Sequence, residues 1–285
     1  MTAPRRPAAW FDAQYDNRAR IPGHPAILRH WAEASARALL RPGWVFDLAY
    51  GDAPSERLDV LPATKSGAPV FVYVHGGYWR ALDKRDHAFV APPLADAGAM
   101  VVNLNYALCP AVSIEHIVGQ LERSLAWVWR QASRYGGDAE RIVVGGHSAG
   151  GHLAAMLLAC RWRDRAGELP PDLVKSALSI SGLYELEPLR HAPFLAPDIG
   201  LTAESALRLS PAAMPAPSCG RLATVVGGDE SEEFHRQAAL IASAWGPAVV
   251  VAAHVEAGRN HMNVLDELAV EGSRTYRLAL ELLGI

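Results

Sequence analysis

Cysteine is scarce: the chain of 285 residues has three, Cys109, Cys160 and Cys219. An odd, sparse set without paired spacing argues against a disulfide framework and against a zinc site. It fits a reducing, cytoplasmic setting. Long apolar runs are missing too. No stretch reaches about 18 uninterrupted apolar residues, so no membrane-spanning helix is expected. Met1 to Trp10 carries two arginines but no apolar segment after them, so no signal peptide is expected there. Charge of one sign is also lacking. The formal net charge is −3, with no basic stripe, which disfavours nucleic acid as a partner. There is no G-x-G-x-x-G opening a helix after the first strand, no P-loop lysine and no H-E-x-x-H. Neither a nucleotide cofactor nor a metal is therefore expected, and the cofactor expectation is none.

What is present reads as one globular domain over residues 1–285. Half of the residues are hydrophobic and 20% are charged, enough to bury a sizeable core without staples. Residues 1–43 read as an N-terminal helical cap, with Ile27, Leu28, Trp31, Ala34 and Ala38 at helical spacing. Val45–Tyr50 and Arg57–Leu61, separated by 51–55, read as a hairpin. The short, nearly unbroken apolar runs Val70–Val74 and Met100–Leu104 suit strands buried on both faces.

Ser113–Arg134 follows as a helix with Ile114, Ile117, Val118, Leu121, Leu125 and Val128 on one face. The pattern continues as strand Arg141–Val144, helix Gly150–Arg161 and strand Lys175–Ile180. Pro188–Pro217 is proline-rich and reads as loop with short helices. Strand Ala223–Val226, helix Ser231–Trp245, strand Val249–Val255 and helix Asn263–Leu283 complete the chain. Strands alternating with helices of this length imply βαβ units and a mostly parallel sheet, an α/β fold.

The strongest chemical signal is Gly146-His147-Ser148-Ala149-Gly150, between a strand and a helix. That is the context of a nucleophile elbow in an α/β-hydrolase fold, where small neighbours tolerate a sharp turn that exposes the serine. Its bland alternative is a glycine-rich turn holding an incidental serine. The second signal is His75-Gly76-Gly77-Tyr78-Trp79, directly after a strand. A glycine-rich loop at this place offers backbone N–H groups to an oxyanion. Donors are expected from Gly77 and Tyr78, with Gly76 shaping the loop, and from Ala149 on the other side.

The acid and base should follow the serine in that order. Gly227-Gly228-Asp229-Glu230 comes after a strand, and Asp229 is favoured because it stands first; Glu230, Glu232 and Glu233 compete with it. His261, between the last strand and the last helix, is the expected base. His254 lies inside a strand, His147 flanks the serine and His152 sits on the next helix, so all three read as structural. Trp127 and Trp129 read as helix packing. Tyr78, Trp79 and Tyr184 are candidates to stack on an aryl group, with core packing the competing role. A non-catalytic binding protein on this scaffold is disfavoured because all three triad positions are occupied.

Together, His75-Gly76-Gly77-Tyr78-Trp79 and Gly146-His147-Ser148-Ala149-Gly150-Gly151-His152-Leu153 resemble the kynurenine formamidase (arylformamidase) family, in the hormone-sensitive-lipase-like branch of the α/β-hydrolases. Tyr50-Gly51-Asp52, Leu58-Asp59-Val60, the segment Ser181 to Leu189, Ser210-Pro211 and Glu233-Phe234-His235-Arg236-Gln237 are similar as well, so the likeness runs over roughly residues 48 to 268. It implies the triad Ser148, Asp229 and His261 and an aryl formamide such as N-formyl-L-kynurenine as substrate. A broad carboxylesterase for short acyl esters is the alternative. The surroundings of the base, Asn260-His261-Met262-Asn263, and the segment Trp10 to Leu40 depart from the family pattern. A small molecule is the expected partner, and the sequence leaves a homodimer open.

Overall fold

A computed structural model describes residues 6–285; the first five residues of the expected cap lie outside the described part. Three helices lead: α1 (Ala8–Tyr15), α2 (Asn17–Arg20) and α3 (His24–Leu39). Then come β1 (Val45–Ala49), β2 (Arg57–Leu61), β3 (Ala68–Val74), a 3-10 segment Lys84–Val90, α4 (Ala91–Asp96) and β4 (Met100–Leu104). The middle holds α5 (Ile114–Gln131), β5 (Gly137–His147), α6 (Ala149–Leu158), α7 (Trp162–Arg165), β6 (Val174–Ile180), α8 (Ala196–Ile199) and α9 (Ala203–Arg208). The last elements are β7 (Arg221–Gly227), α10 (Glu232–Trp245), β8 (Val250–Glu256) and α11 (Arg274–Leu283).

The eight strands form one sheet in the order β1-β2-β4-β3-β5-β6-β7-β8. β2 runs antiparallel to both β1 and β4, and the remaining pairs are parallel. The central strands explain the unbroken apolar runs. On β3, Val70, Val72 and Val74 face one core while Phe71 and Tyr73 face the other. Alternation between two cores leaves no residue for water, so the strand is apolar throughout. The expected face of α5 is buried: Ile114, Ile117, Val118, Leu121, Leu125 and Val128 all belong to the same core as Val70.

Beyond the 3-10 segment and α4 between β3 and β4, which no expected element covers, two elements differ from expectation. β5 begins four residues earlier than its apolar run and ends at His147, so strand pairing extends right up to the elbow. The expected last helix is broken. Asn263–Ala269 is 3-10, and α11 starts only at Arg274, where the Ser273 hydroxyl accepts the Tyr276 N–H. Gly272 sits between them at φ 82°. Apolar periodicity continues across the break because both pieces bury their faces in one core, and a local cap outweighs continuity of the pattern.

A buried ion pair ties β2 to the 3-10 segment. Lys84 Nζ lies 2.7 Å from both carboxylate oxygens of Asp59 and 2.8 Å from Asp47 Oδ1. Asp59 is 1% exposed, and its other recorded partner is the Asp47 N–H at 2.8 Å. Removing one member of such a pair strands the other charge in the interior. Lys84→Met is therefore expected to destabilise the protein by about 3–5 kcal/mol in urea unfolding, and Asp59→Asn in the same background to recover part of the loss. A cost for the single variant below about 1 kcal/mol would contradict this pairing.

Candidate active site

The site lies at the carboxyl edge of the parallel strands, where β3, β5, β7 and β8 deliver their following loops. β5 turns directly into α6 at Ser148, whose backbone is at φ 57° and ψ −119°, an uncommon conformation for a residue with a Cβ. Its N–H donates to the Ile180 carbonyl at 2.8 Å, which anchors the strained turn to β6. Gly150 must be glycine: a Cβ there would stand 2.1 Å from the Val74 carbonyl oxygen. The elbow thus presses against the end of β3, bringing the loop after β3 beside the serine.

That loop also carries unusual backbone. Gly77, Tyr78 and Trp79 have φ of 104°, 51° and 57°. A Cβ on Gly77 would lie 2.1 Å from the Ala81 carbonyl oxygen, so the loop closes over this residue. Side chains hold the conformation. Tyr78 Oη donates to the Tyr15 carbonyl at 2.5 Å and accepts from Asn17 Nδ2 at 3.4 Å. Burial lowers the His75 pKa to about 4, so the ring is neutral and its Nδ1–H donates to the Gly76 carbonyl at 2.8 Å. Gly77 and Tyr78 N–H have no backbone acceptor among the described residues, and Ala149 N–H belongs to the first turn of α6, where amides have no intrahelical partner.

Ser148 is 3% exposed, and its Oγ lies 3.0 Å from Nε2 of His261. Nδ1 of the same ring lies 2.7 Å from Oε2 of Glu230, not from Asp229. This corrects the expected acid. The Glu230 N–H returns to the Gly227 carbonyl at 3.2 Å, so the chain turns tightly after β7. Asp229 occupies the outer corner of that turn and is exposed, while Glu230 points back under the sheet edge. The extra methylene of glutamate spans the added residue. Oε1 of Glu230 accepts the Gly227 N–H at 2.7 Å and the Ser181 hydroxyl at 2.5 Å. Both oxygens of a buried carboxylate are thereby satisfied, and the imidazole has one orientation open to it.

His147 braces the base from the other side. Its Nε2–H donates to the His261 carbonyl at 2.6 Å, and the two rings lie 5.0 Å apart. Burial, reinforced by the neighbouring His261, holds its pKa well below the ordinary histidine value, which keeps it a neutral donor. His152 is likewise neutral, its pKa pushed to about 4 by burial, and donates to the Leu209 carbonyl at 2.8 Å. His254 contacts Glu256 at the edge strand. Among the described residues, no group of acidic, histidine or cysteine side chains is placed to hold a metal.

A cleft opens over Ser148 and His261. Leu28, Trp31, Leu82, Phe194 and Met262 supply apolar walls, and Asp16, Arg18 and Arg80 supply charge. Tyr78 lines it as expected, but Trp79 and Tyr184 do not. Trp79 is 0% exposed and packs edge-on against His152. Tyr184 is buried with its hydroxyl donated to Ser179 Oγ at 2.7 Å. Both are core residues beneath the site. The aromatic walls come instead from Trp31 on α3 and Phe194 in the proline-rich segment. Trp31 shows in the sequence only as one of the residues at helical spacing in the cap and Phe194 only as part of a proline-rich segment, and neither pattern reveals what these elements cover.

The BD-FAE family model matches residues 58–166. The kynurenine formamidase of Danio rerio is 32% identical over 249 residues, 84% of this chain and 82% of that protein. The Salmo salar enzyme of the same name is 31% identical over 274 residues, 93% and 89% of the two chains. The chain belongs to the kynurenine formamidase family. Among solved structures, a thioesterase-designated protein of Silicibacter sp. superimposes with a TM-score of 0.82 at 28% identity, over 95% of this chain and 97% of that one. This kynurenine formamidase family member is therefore a hydrolase of the α/β-hydrolase type, and the expected fold class stands.

Proposed function

We propose that this protein hydrolyses an aryl formamide, N-formyl-L-kynurenine being the substrate the family points to, through a formyl-enzyme on Ser148. The observation that carries the reading is the continuous chain Ser148 Oγ, His261, Glu230 at 3.0 and 2.7 Å on the floor of an apolar cleft, in a chain of this family. Ser148 Oγ attacks the formyl carbon while His261 Nε2 takes its proton. Glu230 holds the Nδ1–H tautomer and offsets the imidazolium charge. The N–H groups of Gly77, Tyr78 and Ala149 receive the oxyanion, and preorganised donors of this kind commonly contribute a few kcal/mol each. His261 then returns the proton to the departing arylamine nitrogen. A water molecule deprotonated by the same ring attacks the formyl ester, releasing formate and restoring Ser148.

The likeness to the Silicibacter protein, a thioesterase by its description, leaves room for a second reading on the same machinery, in which the acyl group is carried on an ester rather than on an arylamine and short acyl esters are cleaved. The two separate in one comparison. The formamidase reading expects kcat/KM on N-formyl-L-kynurenine to exceed that on p-nitrophenyl acetate. An inert formamide beside a rapidly cleaved ester would reverse the order of the two readings. The ligand is a small molecule, and the sparse, unpaired cysteines support a cytoplasmic setting. Among the described residues no helix is long and apolar enough to cross a membrane.

A further inference from the structure

The rim of the cleft carries charge that the acyl-transfer machinery does not use. Three consecutive residues at α2 reach the site. Asn17 is buried against Tyr78, and its chain neighbours Asp16 and Arg18 line the same cleft. Two guanidinium groups border the cleft, and they differ in their commitments. Arg80 donates to the Phe194 carbonyl at 2.8 Å and pairs with Asp198. Arg18 has no carboxylate partner among the described residues and is exposed at the cleft mouth. Asp16 uses Oδ1 to accept the Ala19 N–H at 3.1 Å, which leaves Oδ2 without a recorded partner. One cleft thus brings together an uncommitted cation, an uncommitted carboxylate oxygen, the apolar side chains of Leu28, Trp31 and Phe194, and Ser148.

We infer that Arg18 is a specificity residue that binds a carboxylate on the leaving group, with Asp16 facing an ammonium beside it, so that the site selects aryl formamides ending in an α-amino acid. This inference rests on the formamidase reading above. An aryl ring fills the apolar middle of the cleft while its formamide reaches Ser148. A side chain extending from the ring then points outward to the rim. A guanidinium accepts a carboxylate through two parallel N–H donors, stronger than a neutral contact of the same geometry. A substrate bearing only the carboxylate would meet Asp16 as a like charge. The zwitterion satisfies both groups, so the pair discriminates by attraction and by repulsion. α2 is also tied to the oxyanion loop through Asn17 and Tyr78, which keeps the rim charges in register with the nucleophile.

The test uses three formamides: N-formyl-L-kynurenine, its analogue lacking the α-amino group, and neutral ortho-formamidoacetophenone. The readout is the ratio of kcat/KM for a charged substrate to that for the neutral one, which cancels any general loss of activity or folding. Arg18→Gln is expected to lower the ratio for N-formyl-L-kynurenine about tenfold, through KM, and Arg18→Lys to recover part of it. Asp16→Asn, which keeps the helix cap, is expected to erase the preference for the zwitterion over its deaminated analogue. An unchanged ratio in Arg18→Gln overturns the assignment and leaves the formamidase reading standing. A wild-type protein that cleaves p-nitrophenyl acetate but none of the three formamides overturns both.

Discussion

Replacing Ser148 by alanine is expected to lower kcat on the preferred substrate by about 10⁶-fold, to whatever turnover the oxyanion donors and the cleft support alone. The side chain removed is one oxygen, and the backbone around it is held by other groups. Its N–H is bonded to Ile180, and its unusual φ and ψ are imposed by the end of β5 and the start of α6. Alanine meets the same steric cost as serine there, so folding should be nearly untouched and product binding retained. Two measurements check this. Steady-state kinetics should show the loss in kcat, while titration calorimetry with the arylamine product gives a Kd close to the wild-type value. A fluorophosphonate probe should label the wild-type protein at Ser148 and leave the variant unlabelled. Full activity in Ser148→Ala, or wild-type labelling at another residue, would place the nucleophile elsewhere.

The parts of this site that were readable in the sequence are those fixed by local backbone demands. A strand that runs straight into a strained turn needs glycine where the turn touches its neighbour, and Gly150 meets Val74 for that reason. The Gly76-Gly77 loop is readable on the same grounds. His261 is readable because one loop in the chain order can hold the base. The strands β3 and β4 announce themselves because both faces are buried, whereas the order of the eight strands depends on crossovers that no local pattern encodes.

Which way a side chain turns is not written in the local pattern. Trp79 and Tyr184 have the chemistry of aryl-binding residues, yet their rings point into the core. Trp31 and Phe194, far from the elbow in sequence, form the walls. The cap illustrates the same point. Tyr15 Oη donates to Glu233 at 2.5 Å, and the Tyr15 carbonyl accepts from Tyr78. Burial and the Glu233 carboxylate raise the phenol's pKa far above its ordinary value, keeping it a donor. One residue of α1 therefore joins α10 to the loop after β3, and the helical spacing of the cap contains no trace of it.

Glu230, the acid of the proposed triad, gives the second large effect. Glu230→Gln is expected to lower kcat by about 10⁴-fold, as when an acid of this kind is made neutral without changing its shape, and Asp229→Asn to change it only a few-fold. Glu230 receives three donors: the Gly227 N–H, the Ser181 hydroxyl and the His261 ring. A glutamine has a single acceptor oxygen for them. If that oxygen stays toward Gly227 and Ser181, its NH₂ faces Nδ1 and forces the imidazole to carry its proton on Nε2. The ring then offers Ser148 a donor where it needs an acceptor. If the amide flips, its NH₂ opposes two donors in a buried site, and the turn after β7 must shift. Glu230→Asp keeps the charge but withdraws it by one methylene, and a misplacement on the order of 1 Å costs about 10²-fold. Asp229 is exposed at the corner of the turn, and its recorded bond is through its backbone N–H to the Arg259 carbonyl, which asparagine preserves. Kinetics of the three variants on one substrate decide the assignment. A severe loss in Asp229→Asn beside a mild one in Glu230→Gln would return the role to the aspartate and mean that the turn after β7 is wound differently in the working enzyme.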